Sequence, residues 1–464
     1  MMSNFIQLPA SKSIGARFLT ASYFAGTLPS CRRFDDCDDL KVIQNALDLL
    51  FASRHATDEP LTLDIHASGT AFRFMAATIA STPGADVVLT GTKRLCSRPM
   101  TPLLEVLRAA GARIEALGGD ETGPYRIKGA RLKGGRFEIR GDVSSQFISA
   151  LMLAAPGWEG GMDLRFTTPL VSRPYAEMTA KVMRDFGIAV ELSEDGVMVK
   201  EGNYVAPADY VVEADWSAAG FIYEAASFML STVEIESLMG PEESMQGDAA
   251  TAGIYRYLGV VSEFHRKGSS SESSSDESSR QPDDVFFARP FSSRRPKPDC
   301  DYAEIERYFD LPDEVTFDMT DHPDLVPALA VSCVFNAIRF RFTGVRNLRL
   351  KESDRLEAIR AEMEKFGYHL NVEEDAIAWT GGAWGRIHSP EIETYDDHRI
   401  AMAFAIAPLR EGEVRILNPD VVEKSFASFW EQLPKLGLHC RREGNVMVVN
   451  RQSDLFRRKH GLDF

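Results

Sequence analysis

The chain has 464 residues, of which 44% are hydrophobic and 26% are charged, and its formal net charge is −16. These values are typical of a globular protein and exclude wholesale disorder or a fibrous repeat, and the length predicts two or more domains. The negative charge argues against broad nucleic-acid binding, which needs an extended basic surface, so an anionic ligand must be met by locally concentrated lysines and arginines.

The sequence shows no pattern of a secretion signal or a membrane span. The start, MMSNFIQLPASK, lacks a basic segment followed by an apolar core, and apolar runs such as 325–338 and 401–409 are interrupted or too short to cross a bilayer. The six cysteines form no C-x-x-C pair, which predicts neither a disulfide framework nor a zinc site. We therefore expect a cytoplasmic protein. Cys96, beside Arg94 and Arg98, has activating neighbours, but we interpret it as a bystander.

Four short polar segments precede apolar helical patterns in the first half of the chain. They are PASKSIGAR (9–17), SGTAFRF (68–74), SSQF (144–147) and SRPY (172–175). A helix N-terminus offers unpaired backbone N–H groups and the positive end of the helix dipole, which suits it to anions. Each segment alone also has a plain structural interpretation, as a serine cap, a turn or a proline in the first helical turn. Their recurrence, with basic residues nearby, favours anion binding.

The second half adds DMTDHPDLVP (318–327), RLKESDR (349–355) and TYDDHRIAM (394–402). The first has a spacing of Asp and His that a metal could use, but its proline and the apolar helix after it favour a strand-to-helix turn, in which Asp324 is either a helix cap or a general base. RLKESDR alone would be typical of a solvated helix face. In the third segment charged residues lead directly into an apolar helix, so we predict Arg399 as an anion ligand oriented by Asp397 and His398.

The chain also repeats itself. Five glycines end amphipathic helices and are followed by alternating strands, as expected where a helix stops in the left-handed conformation. They are Gly111, Gly187, Gly259, Gly367 and Gly437. Several of these strands are predicted to turn back at short loops, such as 194–196 and 443–445. With the helix 40–51 and the strand LTLDI as a sixth, weaker unit, βαβ-type units of about 70 residues suggest two clusters of three, whose helix starts converge on one cleft.

One interval between these glycines, from Gly259 to Gly367, is longer than the others. It contains a run rich in Ser, Asp, Glu and Pro, a composition that cannot bury enough apolar area to order itself. We therefore predict an inserted, disordered segment at about 267–300.

Five segments together resemble the motifs of the 3-phosphoshikimate 1-carboxyvinyltransferase (EPSP synthase) family of enolpyruvyl transferases. PASKSIGAR resembles PGSKSxxxR, SSQF is identical to the family motif, and RLKESDR resembles R-x-KE-[ST]-DR. TYDDHRIAM resembles TYNDHRMAM, and EKSFASFW (423–430) resembles the KT/SFP-x-FF segment. Their joint occurrence, in order and over nearly the whole chain, is far more specific than any single match.

The resemblance implies an α/β fold of two globular domains, each built from three βαβαββ units and linked by a two-strand hinge. One domain would comprise residues 1–11 and 214–464 and carry the insert, and the other residues 12–213. The chain would cross between them near 10–12 and 213–216, where VVEADWSAA resembles the family's VEGDxSSA.

The resemblance also implies a reaction by addition and elimination. The 5-hydroxyl of shikimate 3-phosphate attacks C2 of phosphoenolpyruvate while C3 is protonated, and phosphate then leaves. Asp324 is predicted as the base at the 5-hydroxyl, and Glu352 and Lys12 as candidates for proton transfer at C3. Neither a metal nor an organic cofactor is needed. The two substrates are the only partners expected, with no nucleic acid and no membrane, and we expect a monomer.

Two sets of binding residues follow from the resemblance. Those for phosphoenolpyruvate are Lys12, Gly69, Arg98, Gln146, Arg355, Arg399 and Lys424. Those for shikimate 3-phosphate are Ser13, Arg17, Ser144, Ser145, Gln146, Ser172, Tyr175, Asp324, Asn347 and Lys351. The many cations fit two multiply charged substrates.

Four positions depart from the family pattern. Ala67 replaces an Asn and is expected to lower the affinity for shikimate, and Asp396 replaces another Asn and is expected to weaken anion binding slightly. Arg173 stands for a frequent Lys and Ser353 for Thr. Gly69 leaves room beside phosphoenolpyruvate, so inhibition by glyphosate is predicted.

Three alternatives stay open at this point. The UDP-N-acetylglucosamine enolpyruvyl transferase shares the architecture, but it uses a loop cysteine for which Cys96 is a poor match, and KESDR and DDHR favour shikimate. A catalytically inactive, ligand-binding homologue would be expected to have lost at least one of six site residues, all of which are present here: Lys12, Asp324, Lys351, Glu352, Arg355 and Arg399. A domain of a larger fused enzyme is the third, and since neither end shows a second domain we expect a free-standing protein.

Overall fold

The computed structural model describes residues 5–27, 37–53, 59–229, 231–265, 302–307, 311–385 and 389–452. The insert predicted at about 267–300 lies outside the described residues.

The described residues contain twenty strands. In chain order they are β1 (Ile6–Gln7), β2 (Leu61–Asp64), β3 (Asp86–Thr90), β4 (Arg113–Ala116), β5 (Tyr125–Lys128), β6 (Lys133–Ile139), β7 (Glu159–Phe166), β8 (Val190–Leu192), β9 (Gly196–Val199), β10 (Val233–Glu236), β11 (Val260–His265), β12 (Tyr302–Arg307), β13 (Glu314–Asp318), β14 (Arg339–Thr343), β15 (Asn371–Val372), β16 (Ala376–Trp379), β17 (Glu391–Ile392), β18 (Val414–Leu417), β19 (Leu438–Glu443) and β20 (Val446–Arg451).

The same residues contain fourteen α-helices, none of which is long and apolar enough to span a membrane. They are α1 (Lys12–Phe24), α2 (Asp38–Ala52), α3 (Gly69–Ala80), α4 (Lys93–Cys96), α5 (Thr101–Ala109), α6 (Ser145–Ala154), α7 (Arg173–Asp185), α8 (Trp216–Phe228), α9 (Thr251–Tyr257), α10 (Val326–Phe335), α11 (Arg355–Lys365), α12 (His398–Ile406), α13 (Pro408–Glu411) and α14 (Phe429–Gln432).

The strands form five four-stranded sheets with one shared plan. In each sheet the first two strands along the chain pair in parallel, and the other two pairings are antiparallel. The third and fourth strands of each sheet, in chain order, pair with each other as a hairpin. The orders are β1-β10-β12-β11, β2-β3-β5-β4, β6-β7-β9-β8, β13-β14-β16-β15 and β17-β18-β20-β19. In four of the sheets one or two helices connect the two parallel strands, as a parallel pair requires, whereas between β1 and β10 the chain runs through the other core and α8.

The five predicted helix-ending glycines all adopt positive φ angles. The values are +105° at Gly111, +81° at Gly187, +77° at Gly259, +85° at Gly367 and +78° at Gly437. A side chain is strained in this region of backbone conformation, whereas glycine is not. The prediction that glycine ends these helices is confirmed, as are the hairpins at 194–196 and 443–445.

The predicted sixth unit is partly wrong. Its helix is present as α2, which packs against α1 and α3. Its strand LTLDI, however, is β2, which pairs in parallel with β3 and so is the first strand of the sheet whose α5 ends at Gly111. Within the described residues, α1 and α2 therefore have no four-stranded sheet of their own.

Buried apolar side chains divide into two cores. One lies within residues 10–212 and includes Met245, and the other lies within 214–449 and includes Ile6. The chain passes between them twice at the same place, where Ala10 and Ala214 form an isolated antiparallel bridge. The boundaries 1–11, 12–213 and 214–464 stay a prediction, which this division supports.

Glu224 on α8 is a buried acid whose two carboxyl oxygens have no hydrogen-bond partner among the described residues. Burial raises its pKa well above the usual range. The folded protein therefore keeps a proton that the unfolded chain loses as pH rises above about 4.5, so stability falls with rising pH.

Glu224→Gln removes this titration. Its free energy of unfolding, relative to the wild type, is expected to increase between pH 5 and 8 by up to about 1.4 kcal/mol per pH unit. Urea unfolding at several pH values measures this. Glu191→Gln, at an exposed glutamate of β8, is the control. Its free energy of unfolding should differ from that of the wild type by the same amount at every pH. A constant difference for Glu224→Gln would contradict the prediction.

Candidate active site

Helix starts from both cores meet at one cleft. Residues at or just before the first turns of α1, α3, α6, α7, α8, α11 and α12 line it. Every predicted site residue lines this cleft except Lys424, whose Nζ lies behind the lining, 3.3 Å from Oε1 of Glu352 and 3.2 Å from the carbonyl oxygen of Ala67. The structure thus brings the predicted residues together, and their roles stay proposals.

The helix caps show which polar groups are already used. Ser11 caps α1 by accepting a hydrogen bond from the Ile14 amide, which leaves Ser13 in the cleft. Ser144 caps α6 by accepting from the Gln146 amide, so the structural interpretation of SSQF also holds for this serine. Ser172 starts α7 in the left-handed conformation, with φ +54°, and makes no side-chain cap.

Arg355 lies at the centre of a buried ion-pair network and is 1% exposed. Its guanidinium donates to Asp397 at 2.7 Å, to Asp324 at 2.8 Å and to Glu352 at 2.9 Å. Asp397 also caps α12, the role of an orienting group that the sequence suggested for it. Three carboxylates thus fix one arginine, and none of its hydrogen-bonding edges is left without an acid.

Asp324 is held between three cations. Arg399 donates to it at 2.9 Å, Arg355 at 2.8 Å, and Nζ of Lys351 lies at 3.4 Å. Burial alone would raise the pKa of Asp324, but these cations hold it well below its usual range. The carboxylate is therefore ionised, as a general base must be.

Glu352 and Lys12 have opposite protonation states. Burial alone would raise the pKa of Glu352, but Lys424 and Arg355 hold it well below its usual range. Burial would lower the pKa of Lys12, but Asp39, at 3.2 Å, and Glu352 raise it. The lysine is therefore protonated and the glutamate is ionised.

His398 is buried and neutral. Burial and the charges of Lys12 and Arg399 lower its pKa well below the usual range, and neither ring nitrogen has a hydrogen-bond partner among the described residues. The orienting role suggested for it is not visible as a hydrogen bond in this part of the chain.

Three arginines of the cleft have no carboxylate within 4.0 Å among the described residues: Arg17, Arg73 and Arg98. Arg17 donates instead to hydroxyl and carbonyl oxygens, including Thr179 at 2.7 Å and Ser149 at 2.9 Å. Burial lowers the pKa of Arg17 to about 10. Arg17 and Arg73 are buried and Arg98 is half-buried. A cation withdrawn from water without an acid is costly unless an anion joins it, so these arginines mark where anionic ligands are needed.

The sequence analysis did not identify three side chains that contact predicted site residues or their partners: Asp248, Ser217 and Asp39. Tyr175 donates its hydroxyl to Asp324, at 3.2 Å, or to Asp248, at 3.4 Å, and Ser217 donates to the same oxygen of Asp248. Burial and the charge of Asp324 raise the pKa of Asp248. Asp39 was missed too, although the acidic run DDCDDL before α2 was a usable signal. No local signal points to Asp248.

No group of three or more His, Cys, Asp and Glu residues within the described ranges is arranged to hold a metal. In the 318–327 segment, Asp318 accepts from the Thr320 amide at 2.9 Å and so fixes a turn, and Asp321 accepts from the Arg173 amide at 3.1 Å and so holds the segment to the start of α7. Cys96 is not part of the cleft lining, and its thiol faces the carbonyl oxygen of Gly91.

Two of the departures from the family pattern have a clear setting. Ala67 contributes its backbone oxygen to Lys424. Asp396 accepts a hydrogen bond from Asn418 at 2.9 Å and does not line the cleft. Their expected effects on affinity stay predictions.

Gly69→Ala is expected to raise the KM for phosphoenolpyruvate about tenfold and to leave the KM for shikimate 3-phosphate nearly unchanged. A Cβ atom at Gly69 would lie 2.7 Å from Nη1 of both Arg73 and Arg98, so two guanidinium groups would have to move. A loss of about 1.4 kcal/mol corresponds to tenfold in affinity. Steady-state kinetics measure this, with Gly253→Ala, in open space on α9, as the control. An unchanged KM for phosphoenolpyruvate would contradict the prediction.

Known proteins resemble this chain over nearly its full length. Residues 2–433 match the family model of EPSP synthase (3-phosphoshikimate 1-carboxyvinyltransferase). The 3-phosphoshikimate 1-carboxyvinyltransferase of Bacteroides fragilis (strain YCH46) is 36% identical over 434 residues, which cover 93% of this chain and 95% of the relative. That of Histophilus somni (strain 2336) is 30% identical over 452 residues, which cover 93% and 96%.

A solved EPSP synthase from Acinetobacter baumannii has the same fold, with a TM-score of 0.64 and 21% identity over 96% of each chain. The predicted α/β class, with two domains of βαβαββ units, is confirmed by this likeness. With the family model and the two relatives, these findings show that the chain belongs to the EPSP synthase family.

Proposed function

We propose that this chain transfers the enolpyruvyl group of phosphoenolpyruvate to the 5-hydroxyl of shikimate 3-phosphate. The products are 5-enolpyruvylshikimate 3-phosphate and phosphate. The observation that carries the proposal is the set of cleft arginines without a carboxylate: Arg17 on one side, and Arg73 with Arg98 around Gly69 on the other. Two multiply charged substrates would supply the missing negative charge, one at each place.

Shikimate 3-phosphate is proposed to lie against Arg17 and Tyr175, with its anionic groups also met by the hydroxyls of Ser13, Ser144, Ser145 and Ser172. Its 5-hydroxyl would then face Asp324, with Lys351 and Asn347 close by. Gln146 lies at the start of α6 and would contact both substrates.

Phosphoenolpyruvate is proposed to lie among Lys12, Arg98, Arg355 and Arg399, beside Gly69. The charge of phosphoenolpyruvate would compete with Asp324 for Arg355 and Arg399. The two arginines would then hold the Asp324 carboxylate less tightly, and the affinity of Asp324 for a proton would rise. The second substrate would thereby strengthen the base when both reactants are present.

The addition step needs a proton at C3 and the removal of one from the 5-hydroxyl. Asp324 is proposed to take the hydroxyl proton as oxygen attacks C2. Lys12 is protonated and is the readier donor to C3, whereas Glu352 must first acquire a proton. In the elimination step C3 gives up a proton, to the now unprotonated Lys12, as the C2–O bond to phosphate breaks and the C2=C3 double bond forms. Arginine and lysine side chains stabilise the charge of the tetrahedral intermediate and of the departing phosphate.

The test is phosphate release from phosphoenolpyruvate with shikimate 3-phosphate, run beside the same assay with UDP-N-acetylglucosamine. The proposal is supported if phosphate is released with shikimate 3-phosphate but not with UDP-N-acetylglucosamine, and if this release is lost in Lys12→Ala and in Asp324→Ala. Release with the sugar nucleotide alone would overturn it, and so would folded protein that is silent with both. Glyphosate is expected to inhibit in this assay, and full activity at millimolar glyphosate would contradict that expectation.

We propose further that the protein acts as a monomer in the cytoplasm. Sedimentation at micromolar concentration tests the oligomeric state, and a dimer mass would overturn that part of the proposal.

A further inference from the structure

Arg73 lies on α3, one helical turn after Gly69, and is 4% exposed. Its Nη1 donates both to the carbonyl oxygen of Gly69, at 3.0 Å, and to Oε1 of Gln146, at 2.8 Å. The guanidinium carbon lies 5.4 Å from the centre of the Phe147 ring. These contacts join the start of α3 to the start of α6 at the floor of the cleft.

The contact with Gln146 determines which way its amide points. An arginine has only donors, so it can bind only the carbonyl oxygen of the amide. The amide nitrogen is thereby turned to the other side, where it donates to Oγ1 of Thr70 at 3.1 Å. One N–H of the Gln146 amide is used on Thr70, so one N–H remains for a ligand in the cleft that Gln146 lines, which suits an anion.

The charge of Arg73 is also unusual for this site. Five other cations at this site each lie within 4.0 Å of a carboxylate: Lys12, Lys351, Arg355, Arg399 and Lys424. Arg73 has none within the described residues, and its buried Nε has no hydrogen-bond partner there. Burial and the charge of Arg98 lower its pKa to about 9.

A second cation without a carboxylate within 4.0 Å among the described residues, Arg98, lies close by. Nη1 of Arg73 and Nη1 of Arg98 each approach the Cβ position of Gly69 to 2.7 Å, so the two nitrogens are at most twice that distance apart. Like charges at this separation repel each other in a poorly solvated place. An anion bound at Gly69 would remove the repulsion.

We propose that Arg73 is a positioning residue for phosphoenolpyruvate. It orients the amide of Gln146, and together with Arg98 it supplies the positive charge that this substrate neutralises, without touching the reacting atoms. The inference rests on the proposed function and adds a residue to the phosphoenolpyruvate side of the cleft.

The test separates charge from hydrogen bonding and one substrate from the other. Arg73→Gln removes the charge and keeps an N–H donor, and Arg73→Lys keeps the charge. We expect Arg73→Gln to raise the KM for phosphoenolpyruvate about 30-fold, as for loss of a charged hydrogen bond. The KM for shikimate 3-phosphate should change less than about threefold. Arg73→Lys keeps the charge but lacks the planar fork of donors, so it should recover at least a third of the loss on a logarithmic scale without recovering all of it.

Arg126→Gln is the matched control, because Arg126 is ion-paired to Asp86 on a sheet away from the cleft. It should leave both KM values unchanged. Equal rises in both KM values for Arg73→Gln, or no rise, would overturn the proposal. Should Arg73→Gln fail to fold by circular dichroism, Arg73→Lys decides: a rise confined to phosphoenolpyruvate supports the proposal and any other pattern overturns it.

A double-mutant cycle with Gln146→Ala tests whether Arg73 acts through Gln146. If it does, the double variant should raise the KM for phosphoenolpyruvate no more than about threefold beyond the larger single effect. If the rises in the KM for phosphoenolpyruvate of the two single variants multiply in full, Arg73 does not act through Gln146. The proposed function is judged separately, by phosphate release from the wild type, before any variant is measured.

Discussion

Asp324→Asn is expected to lower kcat about 1000-fold, because a general base contributes 10²–10⁴ and asparagine cannot accept the proton. The KM for phosphoenolpyruvate should fall rather than rise. The carboxylate of Asp324 now occupies Arg355 and Arg399, and its removal leaves these arginines to the substrate. A lower kcat with a lower KM would distinguish loss of the base from general damage to the cleft.

The pH dependence follows from the same contacts. Since cations hold the pKa of Asp324 well below its usual range before substrate binds, the ratio of wild-type to variant kcat/KM, which reports the free enzyme, should stay constant from pH 6 to 8. The ion pairs stabilise the fold above about pH 4 and lose that contribution as pH falls through the lowered pKa. Urea unfolding should therefore show the wild type losing stability relative to the variant only in acid.

Asp86→Asn is a control for the substitution itself, because Asp86 pairs with Arg126 and Lys128 outside the cleft. Its kcat should equal that of the wild type. A kcat for Asp324→Asn within tenfold of the wild type would contradict the assignment of the base.

Arg355→Met is expected to lower the free energy of unfolding by about 3–5 kcal/mol, the cost of leaving a buried charge without its partner. Asp324 would keep Arg399 and Lys351, and Glu352 would keep Lys424. Asp397, which is fully buried, would lose its arginine. Enolpyruvyl transfer should be undetectable. Chemical unfolding and phosphate release measure the two effects.

The double variant Arg355→Met with Asp397→Asn should recover about 1–3 kcal/mol of that loss, because the stranded carboxylate is gone. Arg341→Met is the matched control, since its ion pair with Glu373 is solvent-exposed, and it should change stability little. Equal losses for Arg355→Met and Arg341→Met would contradict a central role for the network.

Local features were predictable from the sequence, because each depends on neighbouring residues. A glycine such as Gly367 ends a helix through its own φ angle, and Arg399 is placed in the cleft by the helix that begins beside it. LTLDI was assigned to the wrong unit because its partner, β3, lies across a helix, and no local pattern encodes that pairing.

The missed groups depend on contacts distant in the chain. Arg73 looks like any arginine in a helix until Gln146 is placed against it. Asp248 lies in a short 3-10 helix (Gly247–Ala250) whose sequence resembles an ordinary helix start, and its link to Tyr175 exists only once the two cores meet. Motif resemblance predicted which side chains meet the substrates, whereas the residues that hold those side chains in place are visible only in the folded structure.

The paired crossings of the chain at Ala10 and Ala214 have a mechanical consequence for the cleft. Lys12 follows the first crossing, and its amide donates to Asp215 just after the second, at 3.0 Å. A rotation of one core against the other would have its hinge at these two crossings. Lys12 lies next to the hinge and would therefore move less than residues farther away. The contacts of Arg98 with Leu350 and of Lys424 with Ala67 also join the two cores, and a rotation about the crossings would separate these atoms. Lys12, the proposed proton donor, would thus keep its position while Arg98 and Lys424, the proposed anion ligands, move away from the other core and return.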